Sequence, residues 1–160
     1  MKIHRMVTLA GGALALAVGV AQAQVPQYGP NVTLDQAKKA AAAGEAEARK
    51  NAWPVAIAIV DTAGQLVLFQ RIDNTQSGSI MIAQDKAVSA AMLRRSTKVI
   101  QDAVAGGGGG LRFLGLRHAS PVEGGIPITI DGKVAGACGV SGVNSDQDGV
   151  VAKACTDALK

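Results

Sequence analysis

From Gly124 to Gly142 the chain reads Gly-Gly-Ile-Pro-Ile-Thr-Ile-Asp-Gly-Lys-Val-Ala-Gly-Ala-Cys-Gly-Val-Ser-Gly. Two β-prone runs flank Asp131-Gly132, a dipeptide suited to the tight turn of a hairpin. The second run is interrupted by Gly136, Gly139 and Gly142. Glycine weakens a strand unless something must come close to its backbone. The spacing therefore predicts an antiparallel hairpin whose second strand lies under another element or a ligand.

The rest of the chain supplies what such a hairpin needs as cover. Thr33 is followed three residues later by Gln36, the spacing of a capping box, and the alanine-rich segment after it predicts a helix through Lys50. Pro54 stops any continuation past Trp53. Val55–Val60 has no polar alternation, which predicts a strand buried on both faces. Asp61-Thr62-Ala63-Gly64 is a turn, and Leu66–Phe69 returns as the second strand. Ser79–Leu93 predicts a second long helix with Ile80, Ala83, Ala87, Ala90 and Ala91 at helical spacing. A shorter helix is expected over Thr97–Val104, then a glycine break at 106–110 and a short strand over Leu111–Leu116. Ser145 is the expected cap of a last helix with Val150, Val151, Ala154, Cys155, Ala158 and Leu159 facing the core. Helices and hairpins in this order give an α+β fold with an antiparallel sheet.

The N-terminus has the pattern of an export signal. Lys2, His4 and Arg5 precede an apolar run from Val7 to Val20, and Ala21-Gln22-Ala23 is a small-x-small cleavage site. Residues 1–23 are expected to be a signal peptide, removed before Gln24, and the run is shorter than the ~20 residues of a membrane span. Residues 24–32 then form an extended arm, and 33–160 one domain. The expected location is periplasmic or secreted, with no membrane span after removal of the leader. Loss of Lys2 and Arg5 lowers the formal charge from +4 to about +2. That balance, with Tyr28, Trp53, Phe69 and Phe113 as the remaining aromatics, argues against a nucleic-acid partner.

Candidate chemistry is sparse. The glycine tract lacks the Gly-Lys-Ser/Thr ending of a phosphate loop, which leaves a flexible connector. No spacing of carboxylates marks an acid–base pair, and Ser141 does not satisfy G-x-S-x-G, so no catalytic residue is assigned. His118 is the one histidine after cleavage; it reads either as an exposed loop residue or as an axial ligand, since one imidazole suffices for haem iron. Cys138 and Cys155 could be a redox pair or metal ligands, but without CxxC spacing they read rather as two buried small side chains or as one structural bridge.

Trp53-Pro54-Val55 through Gly64, Asp85-Lys86-Ala87, and the stretch from Gly124 to Gly142 together resemble the HbpS/GlcG-like family of small haem-binding and related proteins. The resemblance implies a profilin-like arrangement, a five-stranded antiparallel sheet with packed helices, and a homo-oligomer. It implies an exported, non-enzymatic protein that binds a small ligand, with haem as the cofactor. His118 is then the metal ligand, and Arg71, Lys86 or Arg117 pair the propionates. A second function fits the same family: an accessory enzyme or small-acid-binding subunit of hydroxy-acid metabolism. Its sign would be a closed polar pocket formed by Asp61, Lys86 and Arg71.

Overall fold

The computed structural model describes residues 25–160. The expected signal peptide lies outside the described residues. Helix α1 spans Leu34–Lys50. Gln36 donates its backbone N–H to the Thr33 hydroxyl (3.2 Å), and Thr33 donates its own to Gln36 Oε1 (2.9 Å), which completes the capping box. Strands β1 (Ala56–Asp61) and β2 (Leu66–Arg71) form a hairpin. Helices α2 (Ser79–Leu93) and α3 (Thr97–Ala105) follow, then a 3-10 segment over Gly108–Gly115. Strands β3 (Gly125–Ile130) and β4 (Lys133–Ser141) are joined at Asp131-Gly132, and α4 covers Ser145–Asp157.

The sheet is antiparallel in the order β2-β1-β4-β3, so among the described residues it has four strands rather than five. The strand expected over Leu111–Leu116 is wound into the 3-10 segment instead. Its cause is in the glycines. Gly107 and Gly108 take φ of +70° and +52°, which turns the chain out of α3. Gly110 then lies so close to α3 that a Cβ there would stand 1.8 Å from the Ala103 carbonyl oxygen. The tract is thus a packed turn as well as a connector. A smaller correction concerns α4, whose cap is Asn144, one residue before the expected Ser145.

Alternate residues of β1 face two cores. Ile57 and Ile59 pack with Ala37, Ala41, Val151 and Cys155 of α1 and α4. Ala56, Ala58 and Val60 pack with Ala83, Ala87 and Ala90 of α2. Burial on both faces is what the unbroken apolar run requires. On the α2 side the layers touch backbone to backbone. A Cβ at Gly139 of β4 would stand 2.1 Å from the Ala83 oxygen and 2.4 Å from the Ala87 nitrogen. That contact is the close approach foreseen for the interrupted strand.

The arm is fastened across the end of the sheet. Gly29 and Val32 donate to the carbonyls of Val134 and Ala135, and Val134 donates to that of Gln27. The Tyr28 hydroxyl lies 3.0 Å from the carbonyl oxygens of both Ala91 and Met92 at the end of α2. Arg94 covers the Tyr28 ring at 4.9 Å from its centroid and donates to the Pro26 carbonyl. No helix among the described residues is long and apolar enough to cross a membrane.

Candidate functional site

Two places hold the side chains with chemistry, and they differ in exposure. The first is interior. Lys86 and Asp148 are 1 % and 2 % exposed. Lys86 lies three residues after Ala83 and four before Ala90, on the buried stripe of α2. Its ammonium donates to Asp148 Oδ2 (2.7 Å) and to the Val140 carbonyl (3.0 Å). Asp148 enters from the first turn of α4, where a carboxylate suits the helix dipole, and its Oδ1 accepts from the Val143 N–H (3.2 Å).

Glycines make room for this pair. Gly124 has φ of +126°, and a Cβ there would fall 2.8 Å from Lys86 Nζ and 2.9 Å from Asp148 Cβ. At Gly125 it would fall 2.3 Å from the Lys86 carbonyl oxygen. The start of the signature hairpin is therefore shaped around the lysine and its helix. Burial lowers the Lys86 pKa from the usual lysine value, against the opposing pull of Asp148. Burial likewise raises that of Asp148, opposed by Lys86 and the Val143 and Gly142 amides. The pair ties α2 to α4 across the sheet edge and has no open side for a ligand.

The second place is the loop between the 3-10 segment and β3. His118 is exposed there with φ of +64°, a left-handed conformation that is uncommon outside glycine. The loop is pinned on both sides: Ser120 N–H donates to the Ser89 hydroxyl of α2 (3.0 Å), and Glu123 N–H to Gln101 Oε1 of α3 (2.8 Å). His118 shares a recess of about 320 Å³ with Asp85, Ala119, Ser120 and Pro121. Arg117 is its exposed neighbour. Leu114, Leu116 and Val122 in the same connection, and Met81 and Ile82 on α2, are exposed apolar side chains.

An accessible imidazole beside a guanidinium is the pair of groups a haem site on this loop would use; the recess itself is lined by Asp85, Ala119, Ser120 and Pro121. Lys86 does not fit as a propionate partner, because its ammonium is buried and committed to Asp148. Arg71 stands at the exposed end of β2, paired in register with Ala56. Asp61 is at the other end of β1 and turns its carboxylate onto the backbone N–H groups of Ala63 and Gln65. Asp61, Lys86 and Arg71 therefore do not form one closed pocket. Asp148 escaped the sequence reading altogether, since an acidic residue in a first helical turn ordinarily faces water. The signal for it was Lys86 itself, a cation at a core position that must have a buried anion.

Residues 32–157 match the family model described as "Haem degrading protein HbpS-like". The GlcG protein of Escherichia coli strain K12 is 40% identical over 100 residues, covering 62% of this chain and 73% of its own length. A solved double mutant of Streptomyces reticuli HbpS superposes with a TM-score of 0.76 at 26% identity, over 94% of this chain and 99% of its own. A solved complex of PduOC with haem has a TM-score of 0.73 at 24% identity, over 81% and 96%, and so shares the fold.

Proposed function

We propose, from the premise that this chain belongs to the HbpS-like family, that it is an exported haem-binding protein whose axial ligand is His118. The observation that carries this reading is the exposed imidazole held on a loop pinned to two helices. His118 would ligate through its neutral ring, Arg117 would pair a propionate, and the neighbouring apolar side chains would exclude water from the macrocycle. When bound, haem supplies a redox-active iron. Support comes also from the haem named for the family model and for the PduOC complex.

Titration of the purified protein with haemin is expected to give a saturable Soret shift at micromolar concentration. In His118→Ala the affinity is expected to fall about tenfold or more, as for loss of a metal ligand or its support. A wild-type titration without saturation would overturn the haem reading. Saturation unaffected by His118→Ala would overturn the assignment of the ligand.

The same reading includes assembly. The recess beside His118 is open, and Leu114 and Met81 are 61% and 63% exposed. A second copy of the chain would cover these side chains and close the site. Light scattering is expected to return a multiple of the chain mass across micromolar concentrations, and a monomer mass throughout would refute the oligomer.

A further inference from the structure

Cys138 and Cys155 are the chain's two cysteines, and both are fully buried with free thiols. Cys138 is in the middle of β4, in register with Ile59 of β1 and Ile126 of β3. Cys155 reaches the same core from the last turn of α4. The two thiols share one buried cluster on the same face of the sheet: Cys138 is in register with Ile59 of β1, and Cys155 and Ile57 crowd the same point beside Gly44.

Their neighbours hold them there. At Gly44 of α1 a Cβ would stand 2.3 Å from Cys155 Sγ, so the helix backbone presses directly on the sulfur. Ile57 and Val151 side chains lie 3.1 and 3.6 Å from that same point. Cys155 is therefore confined between α1 and the sheet, facing Cys138. Among the described residues no cluster of three or more metal-ligating side chains includes them.

We propose that Cys138 and Cys155 are an intramolecular disulfide site, closed by a small-molecule disulfide such as oxidised glutathione. One cysteine thiolate attacks the glutathione disulfide and releases the first glutathione. The second cysteine displaces the other glutathione from the mixed disulfide, forming the protein S–S bond. The protein gives up two electrons and two protons, and both glutathiones leave as thiols. The bond ties β4 to α4 and encloses Gly142, Asn144 and Asp148 in the loop, so it fixes the helix that carries the buried anion.

Burial pushes the Cys138 thiol well above its usual range. Exchange in the folded protein is accordingly slow and runs through local opening, whereas refolding exposes both thiols. The site stands independently of the haem reading, because neither cysteine belongs to the His118 recess.

The test is to refold the purified protein in a buffer of oxidised and reduced glutathione, quench with acid, and alkylate in denaturant. Intact mass is expected to show no alkylation and a loss of two hydrogens relative to the reduced chain, with no linked dimer on a non-reducing gel. The oxidised protein is expected to melt about 5–15 °C above a dithiothreitol-treated sample. Cys138→Ala and Cys155→Ala should each abolish that difference. Two alkylated thiols per chain after refolding, a stable glutathione adduct, or an interchain bond would overturn the proposal. The mass reading needs only the wild-type protein, so a variant that fails to fold leaves the test intact.

Discussion

Lys86→Met is expected to destabilise the protein by about 3–5 kcal/mol, the usual consequence of removing one member of a buried ion pair. The substitution keeps most of the length of the side chain, but leaves Asp148 with no cation within the core. Asp148→Leu should cost a similar amount, because the Lys86 ammonium then keeps only the Val140 carbonyl. The double variant Lys86→Met/Asp148→Leu should be far less destabilised than the sum, since an apolar pair of similar volume replaces a pair that carries a large desolvation cost. Urea unfolding of the four proteins measures this directly. Additive losses would mean that the two charges are not coupled in the folded state.

The same pair has a pH signature. Lys86 has a native pKa below the ordinary lysine value, so the unfolded chain holds that proton more tightly. Its contribution to stability therefore rises as pH climbs from the native value toward the ordinary one. Asp148 has the opposite sense of shift. The native state holds that proton more tightly, and stability contributed by this group falls as pH climbs from the ordinary aspartate value through the raised one. Difference curves against the double variant should show both slopes.

Gly139→Ala is the second large effect expected. The added methyl would meet the Ala83 carbonyl oxygen at 2.1 Å and the Ala87 nitrogen at 2.4 Å, both backbone atoms of α2. No rotamer change relieves such a clash; the helix has to rise from the sheet. Lifting α2 loosens Ala83, Ala87 and Ala90 against β1 and strains the reach of Lys86 toward Asp148. A loss of about 3 kcal/mol or more is expected, at the upper end for overpacked cores. Gly132→Ala provides the contrast, because a Cβ at Gly132 meets nothing within 4 Å. Its cost comes only from its φ of +75°, about 1 kcal/mol. Equal losses at the two glycines, measured by thermal or urea unfolding, would show that the close approach of α2 does not set the constraint.

What could be read from the residues was whatever repeats with a local period or obeys local turn chemistry. Asp131-Gly132, the Thr33–Gln36 box and the unbroken run before Asp61 each specify their neighbourhood without help from elsewhere, and each took the expected form. The tract from Gly107 to Gly115 did not, because its conformation depends on contact with Ala103 of a different helix. The missing fifth strand is the same error seen from the sheet. Lys86 entered only through the resemblance, as a propionate or small-acid partner, and nothing local marked it as buried. A lysine between Ala83 and Ala87 reads as a ligand group until the anion is located, and Asp148 is 62 residues away in sequence. His118 was placed correctly in the loop before the hairpin, while the recess beside it depends on Asp85 of α2.

The order in which the parts of the sheet become available has its own consequence. The two inner strands are β1 and β4, so the centre of the sheet joins residues 56–61 to residues 133–141. The N-terminal arm waits for the same late segment, since its backbone partners are Val134 and Ala135. A chain emerging N-terminus first has therefore formed only the β1–β2 hairpin and its helices when four fifths of it has been made. Contacts so distant in sequence slow folding. Here they also postpone completion of the sheet until nearly the whole chain is available, which keeps the polypeptide open for the longest part of its synthesis. For a protein exported as proposed above, a chain that completes its sheet so late has the topology that suits translocation before folding.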